Sequence, residues 1–593
     1  MKLSDYVVDF FQKKGASHFF LVTGGAVVHL ADSVYRNPHT THVCVQHEES
    51  AAAAADGFYR TSGRIGVAMT TSGPGATNLT TSICNAYFDS IPLVCITGQV
   101  ATFRLRPNTQ MRQKGFQETD IETLFQGISK YVKLLRNPND IRYELEKAFY
   151  IAQEGRKGPV ILDIPDDLQR AEINPEELRS FDIPMESKKS CASDEMEQLY
   201  HLLEQAERPV VIAGAGIRVA KAEKEFRQFV ELLNTPVLLT WGGADLLENN
   251  HPLNMGCVGV CGPRAGNFAV QNADLVIAVG TRLSQQITGG KQEYFAPQAK
   301  KVMIDIDEEE LNKFSGFPFS LDIAICSDLL SFFHAFLSRD IERENSFDTW
   351  CQLIKSWKNE YPVVAPEEYE EKGLLNPYVA LKEISKKAEE DAVIIADTGA
   401  NICWTMQSFE TKSNQLLFSA WNHTPMGYSL PASIGAAFAT KRSVISLIGD
   451  GGFMMCLQEL ATISRYQLPV KIFLFDNSGQ TTMKQTLEVW LEGRYVGVDR
   501  ASGLSFPDYK LLAEAFSLQY FHLKDNDLIG DQLEQIWNSN GPVFCRLEID
   551  TKARINPILK FGLSLEDLTP PLEKEEIEKR KQEVKDLHLV HSS

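Results

Sequence analysis

The chain has 593 residues, 44% hydrophobic and 23% charged, too long for one core and composed like an ordinary globular protein of about three domains. Its formal net charge of −19 argues against nucleic acid or an anionic membrane surface as a partner. No apolar run approaches the roughly 18 residues of a transmembrane helix, so none is expected.

The opening stretch, MKLSDYVVDFFQKKG, is amphipathic, carries acids and lacks a small-residue cleavage site. It reads as the first helix of the fold rather than a signal peptide, and a cytoplasmic location is expected. Three stretches then alternate β-rich runs with helical patterns, the signature of parallel sheets built from strand–helix–strand units. The first holds HFFLV, IGVAMTT, PLVCITG and GPVILDI; the second PVVIAG, PVLLTW, LVIAVG and KVMIDID; the third AVIIAD, QLLFSA, SVISLIGD, VKIFLFDN and GPVFCRLEI. The expected fold class is α/β, with three doubly wound parallel-sheet domains at about 1–170, 190–340 and 370–555. Polar, proline-bearing joins separate them, and a charged tail follows at 556–593, read as an exposed helix or disorder with no function assigned. The first and third units are alike in size and class, with no residue-level repeat. The 11 cysteines form no paired CxxC framework; reduced thiols are expected, with no metal site at Cys257 and Cys261.

Chemistry concentrates at strand ends. In VCVQHEESAAAAADGFYR, Glu48 ends a strand before an Ala-rich helix. It is either a first-turn acid favoured by the helix dipole or, beside the small apolar turn Ala51–Ala55, a carboxyl of raised pKa able to carry a proton. Ser72-Gly73-Pro74-Gly75 in TTSGPGATNLTT either makes a tight strand-to-helix turn or presents backbone N–H groups to a ligand. In the middle unit VVIAGAGIRVAKAE places Val219 where a third glycine belongs, so a nicotinamide-type dinucleotide site is not expected. No Walker loop, Ser-His-Asp elbow or HExxH zinc motif occurs. In the third unit GDGGFMMCLQELATISRYQLPVKIFLFDNSGQ puts Asp450 after one strand and Asn477 after the next. A helix cap would account for Asp450 alone, but a strand–helix–strand unit brings both residues to the ligand-binding edge of a parallel sheet.

The joint pattern resembles the thiamine-diphosphate enzymes of the acetolactate synthase type, over roughly residues 1–555. GDG with the later asparagine resembles their metal–diphosphate motif, and QHEESAAAAADGFYR with TSGPGATNLTT and GQV…GFQETD resembles their pyrimidine-binding half. The resemblance implies thiamine diphosphate and Mg²⁺, the metal held by Asp450, Asn477 and the Gly479 carbonyl within the six-oxygen set that Mg²⁺ prefers. It implies catalytic roles for Glu48, exchanging a proton with the aminopyrimidine, for Gln117 in GFQETD, and for Met426, which would hold the cofactor bent. Gly73, Pro74, Asn78, Gly399, Ala400, Asn401, Gly449, Gly451 and Gly452 would contact the cofactor, with Ala400 and Asn401 replacing the usual Gln-His. The middle unit resembles the flavin-binding type, which implies FAD in a structural role on Gly214, Gly216, Arg218, Gly262, Arg282, Asp305 and Asp307. A homodimer is the implied minimum and a homotetramer the expected assembly.

Three departures bear on the substrates, a 2-keto acid donor and a carbonyl acceptor. Gln285 and Gln286 in TRLSQQITGG stand where the family has Asp-Asp-Arg, whose arginine holds the acceptor carboxylate; a neutral glutamine cannot replace that charged fork. Thr481–Thr486 replaces a Gly-Met element and a pocket tryptophan. The loop ATFRLRPNTQMRQKG is longer than usual and carries Arg104, Arg106, Arg112 and Lys114, which would suit an anionic acceptor. TGGAVVHLADS, where acetolactate synthases have Pro-Gly-Gly, resembles a subgroup found with polysaccharide-sugar enzymes. The expected activity is decarboxylation of a 2-keto acid, pyruvate foremost, with transfer of the two-carbon unit to an aldehyde or ketone such as a nucleotide-linked keto-sugar. Acetolactate synthesis and simple keto-acid decarboxylation are the alternatives, and a non-catalytic scaffold that keeps the fold is a third of another class.

Overall fold

The computed structural model describes the chain except residues 109, 185–188, 317–318, 340–346, 371–372, 527–528 and 592–593, together with the side chains of 588–591. Parts of both proline-bearing joins, and one residue of the basic loop, lie outside the described residues. Three six-stranded sheets, parallel at every paired step, carry the fold. The first contains β1 (His18–Leu21), β2 (Thr41–Cys44), β3 (Val67–Thr70), β4 (Val94–Gln99), β5 (Tyr131–Leu134) and β6 (Val160–Pro165), in the order 2-1-3-4-6-5. The second contains β7 (Pro209–Ala213), β8 (Val237–Leu239), β9 (Asn254–Cys257), β10 (Leu275–Val279), β11 (Lys300–Asp305) and β12 (Ile323–Cys326), in the order 12-11-10-7-8-9. The third contains β13 (Val393–Ala396), β14 (Leu416–Phe418), β15 (Val444–Gly449), β16 (Val470–Asp476), β17 (Gln519–Leu523) and β18 (Val543–Glu548), in the order 14-13-15-16-18-17.

The first and third sheets therefore share one strand order, which turns their expected likeness of class into an identity of topology. Central strands such as β4 and β15 are buried on both faces, which is why they read as continuous apolar runs without alternation. Each sheet has a point where the winding reverses: between β1 and β3, between β7 and β10, and between β13 and β15. Ligands bind at the carboxyl ends of strands at such points.

The alanine run has a packing role in addition to the one expected of it. Helix Glu48–Ser62 packs on helix Ser429–Ala439 of the third unit, and the two share one apolar core. A Cβ on Gly57 would stand 2.1 Å from the Ala432 carbonyl oxygen, and one on Gly435 only 1.7 Å from that of Ala54. Ala54 and Gly57 thus lie on the close-approach face of this helix crossing, while Ala55 packs against Gly66 on another side.

The charged tail folds back. Ile558–Leu559 pairs antiparallel with Leu568–Thr569, and helix Lys574–His591 docks on helix Asp348–Glu360. The Trp357 indole donates to Glu583 (2.8 Å), the Tyr361 hydroxyl donates to Glu576 (2.6 Å), and buried Arg580 pairs with Glu360 and Glu583. A sequence rich in Glu and Lys docks because its charges find these partners.

Candidate active site

The metal–diphosphate half is built at the reversal point of the third sheet. β15 and β16 run side by side, with Gly449 opposite Phe475, so the residues that follow them emerge together. Asp450 is the first residue of helix Asp450–Cys456, capped by Gly449, and its carboxylate accepts the Gly479 N–H at 2.9 Å. Burial pushes that carboxyl up to about 7, opposed by the Gly479 and Gly451 N–H groups and reinforced by Asp476. A carboxylate this far desolvated calls for a cation. The Asn477 side-chain nitrogen donates to the Thr481 hydroxyl, which leaves its carbonyl oxygen available. Among the described residues no three His, Cys, Asp or Glu side chains converge to hold a metal. A cation here would rest on one carboxylate, one amide and one backbone carbonyl, with its remaining oxygens coming from the ligand, as suits a hard ion such as Mg²⁺.

The next strand contributes the cradle. Gly399, at φ +82°, precedes helix Ala400–Ser408, and a Cβ there would meet only the Thr482 hydroxyl, at 3.6 Å. Asn401 is 2% exposed, and neither its amide oxygen nor its nitrogen has a partner; the Thr482 hydroxyl is likewise buried and unpaired. Such groups are costly unless a ligand satisfies them, and they stand at a helix N-terminus, where backbone N–H groups favour anions. Gly449 has open space where a Cβ would project, Gly451 faces the Met426 Cε (3.2 Å), and Gly452 would clash with the Asp397 carboxylate at 2.5 Å. The residues present therefore fit a metal-bound diphosphate.

Sequence reasoning missed Asp397. Fully buried at the end of β13, it accepts the N–H groups of Thr398 (3.0 Å), Gly427 (3.1 Å) and Ser429 (2.9 Å), which ties the Met426 turn to the sheet. Its signal was present: an acid ending an apolar strand before Thr-Gly. Lys484 was read only as part of an altered pocket. It is buried, pairs with Asp499 at 3.5 Å, and lies 3.0 Å from where a Gly479 Cβ would be.

The second cluster lies at the reversal point of the first sheet. Glu48 opens helix Glu48–Ser62, capped by His47, whose ring accepts the Glu49 N–H. The Asn78 amide donates to the Glu48 carboxylate at 2.9 Å, and a Cβ on Gly75 would lie 3.6 Å from it. Pro74 begins the short helix Pro74–Thr77. Gly73 (φ +59°) abuts Gln117 (φ +64°), whose carbonyl would be 2.8 Å from a Gly73 Cβ. Burial raises the neighbouring Glu49 carboxyl. Of the four loop cations, Arg106 is committed to Asp120 (2.5 Å) and Lys114 to the Phe103 carbonyl (2.7 Å). Glu118 fixes the loop base by accepting the N–H groups of Arg106, Lys114 and Gly115. Arg104 stacks on Phe103, and Arg112 is exposed.

Among the described residues no hydrogen bond or ion pair joins Glu48, Asn78 or Gln117 to Asp450, Asn477 or Gly479. Within one chain, the neighbours of β2 in the third unit are instead Tyr466 and Glu459, which bond the Cys44 and Gln46 N–H groups, each at 3.0 Å. Among the described residues the two half-sites make no direct bond, and His47 and Glu49 share a small cavity with Met426 and Cys456.

At the reversal point of the middle sheet lies a crevice of about 1400 Å³. Gly216, Arg282, Asp305 and Asp307 line it, as do Gln285, Gln286, Trp421 and Phe561. Gly214, Arg218 and Gly262 stand outside this lining. A Cβ on Gly214 would meet the Gly280 carbonyl at 2.4 Å, and one on Gly262 the Asn267 amide oxygen at 2.6 Å; Arg218 pairs with Asp245 (3.0 Å) and Glu223 (3.1 Å). Arg156, which sequence reasoning missed, enters the crevice from the first unit and binds Asp307 (2.8 Å) and Glu310 (3.0 Å). The crevice thus lies at a topological switch point, where open α/β sheets bind ligands, with Arg156 and Arg282 paired to the acids Asp307 and Glu310.

Comparison with known proteins adds three family models in register with this geometry. They are thiamine pyrophosphate enzyme, N-terminal TPP binding domain, over residues 1–124; the central domain, over 196–336; and the C-terminal TPP binding domain, over 397–547. A probable acetolactate synthase large subunit of Methanocaldococcus jannaschii is 34% identical, the match covering 96% of each chain. The large subunit of acetolactate synthase isozyme 2 from Escherichia coli is 32% identical over 96% of this chain and 100% of its own, and that of Cyanidium caldarium is 32% identical over 94% and 95%. With both half-sites falling inside the two TPP-binding segments and the likeness running end to end, the chain belongs to the thiamine pyrophosphate enzymes of the acetolactate synthase large-subunit type.

Proposed function

We propose that the protein is a thiamine-diphosphate- and Mg²⁺-dependent carboligase that decarboxylates pyruvate and passes the two-carbon unit to an aldehyde or ketone, a nucleotide-linked keto-sugar being the preferred acceptor. The observation that carries the cofactor assignment is the Gly479–Asp450 latch beside the unpaired Asn401 amide. Thiamine diphosphate, when bound, supplies the carbon nucleophile and the electron sink for loss of CO₂.

The chain's residues do the rest. Asp450, Asn477 and the Gly479 carbonyl hold the cation that neutralises the diphosphate, while Gly399, Ala400, Asn401, Gly449, Gly451 and Gly452 admit its oxygens. Met426, on a turn that Asp397 holds, would pack against the cofactor. Glu48, kept in place by Asn78, moves a proton at the aminopyrimidine nitrogen, and Gln117 hydrogen-bonds the donor. As the family likeness implies, Glu48 of one chain would work with Asp450 of another, which makes a homodimer the minimum and a homotetramer the expected assembly. FAD in the middle crevice would be structural, and the location cytoplasmic.

The acceptor assignment rests on Gln285 and Gln286, exposed along the crevice where an arginine would be needed to grip a carboxylate. The relatives named as acetolactate synthases favour a second reading, in which pyruvate is also the acceptor. Product analysis with pyruvate alone, and then with aldehydes and keto-sugars, separates the two. Acetolactate as the main product under every condition would overturn the acceptor assignment, and failure to bind thiamine diphosphate with Mg²⁺ would overturn the function.

A further inference from the structure

We infer that Cys261 and Cys403 are a disulfide-forming pair, an oxidative modification site that staples the middle unit to the diphosphate-binding unit. Their sulfurs lie 3.0 Å apart across 142 residues of chain, and both side chains are buried. A disulfide needs about 2.05 Å between sulfurs, so closure asks for about 1 Å of approach. Every other cysteine among the described residues is also a free thiol, and no second sulfur–sulfur contact of this kind occurs among them. Cys257, the nearest in sequence, is separately buried, its thiol pushed up to about 12 by desolvation.

The pair sits where three parts of the chain meet. Cys261 belongs to the turn after β9, in which the Val260 N–H donates to the Gln286 carbonyl (2.8 Å) and the Leu559 N–H of the tail donates to the Val260 carbonyl (2.8 Å). Cys403 is on helix Ala400–Ser408, two residues beyond Asn401. A bond between them would tie the Gln286 wall of the crevice to the helix that cradles the diphosphate.

The chemistry balances with a peroxide as oxidant. One thiol is oxidised by hydrogen peroxide to a sulfenic acid with release of water. The neighbouring thiol sulfur then attacks the sulfenic sulfur, and a second water leaves as the S–S bond forms. No base assists, because the nearby Tyr378 hydroxyl is already committed, donating to Gln407 (2.8 Å) and accepting the Asn556 N–H (2.7 Å). Each step therefore waits on loss of the thiol proton to the medium, which burial disfavours, and is slow beside oxidation of the exposed Cys44; proximity decides the product, not reactivity.

The test uses the full-length protein exposed to hydrogen peroxide, then unfolded in denaturant with an alkylating agent and mapped by mass spectrometry without reductant. The expected result is a Cys261–Cys403 linked peptide about 2 Da lighter than its two thiol peptides together. It should return to two alkylated peptides on reduction and be absent from Cys403→Ala. Should Cys403→Ala fold poorly, Cys261→Ala serves, and the wild-type map alone still decides. Recovery of both residues as alkylated thiols after Cys44 has been oxidised would overturn the inference, as would linkage of Cys261 to Cys257.

Discussion

Replacing Asn401 by leucine separates two consequences of one buried amide. In the ligand-free chain neither amide atom has a partner at 2% exposure, and an unpaired buried polar group costs about 1–3 kcal/mol. Leucine has nearly the same reach, adds apolar burial and favours a helix interior, so the ligand-free protein should gain about 1–3 kcal/mol. The cofactor should lose a hydrogen bond to a charged oxygen, worth about 1.5–3 kcal/mol, which weakens binding roughly 10- to 100-fold. Urea unfolding without ligand and calorimetric titration with thiamine diphosphate and Mg²⁺ read the two effects separately. A variant that is less stable without ligand, or that binds the cofactor as tightly as wild type, would refute the assignment of Asn401 to the cradle.

Further outcomes follow from other contacts. Gly435→Ala places a methyl 1.7 Å from the Ala54 carbonyl and should destabilise by about 3 kcal/mol or more, measured by denaturant midpoint, because a backbone wall cannot move aside as a side chain can. Asp163 is fully buried between Thr97 (2.7 Å) and Gln99 (2.9 Å), its carboxyl raised by burial to about 7. Its folded pKa lies above the unfolded value of 3.8, so the protein gains stability from it at low pH and loses that gain as pH rises from about 4 to 7, by about 4 kcal/mol at most. Asp163→Asn should flatten that slope in pH-dependent unfolding. Glu48→Gln and Asp450→Asn chains should each be inactive alone, yet recover about a quarter of wild-type activity after subunit exchange, since half the dimers then hold one intact site. No recovery would place both residues in a site within one chain. Gln286→Arg should raise the share of acetolactate formed from pyruvate, read by product NMR.

Much of this fold was legible because strands buried on both faces, such as β4 and β15, are unbroken apolar runs. The strands that periodicity did not resolve are short or lie near sheet edges: β5 half-exposed throughout, β9 with Asn254 and Gly256 inside it, β12, and β17 with its Gln-Tyr-Phe-His mixture. The site was legible where its chemistry is carried by glycine spacing and a lone acid, as at Asp450 and Asn477. It was not legible where a residue acts through the tertiary structure. Arg156 reaches the crevice from another unit, and Asp397 matters because two N–H groups of a turn about thirty residues away converge on it beside that of Thr398. The alanine run shows the converse. Read as the apolar setting of Glu48, it also supplies, at Ala54, the contact of a glycine-paired helix crossing, because composition alone cannot say which surfaces a run of small residues meets.

The central claim is tested most directly by ¹³C NMR of the purified protein with labelled pyruvate, thiamine diphosphate and Mg²⁺, with Glu48→Gln as control. The account predicts CO₂ release and either acetaldehyde or the four-carbon acetoin formed by joining two such units from wild type, absent in the control and increased in flux when a carbonyl acceptor is added. Unchanged pyruvate from wild type, or equal turnover by Glu48→Gln, would contradict it.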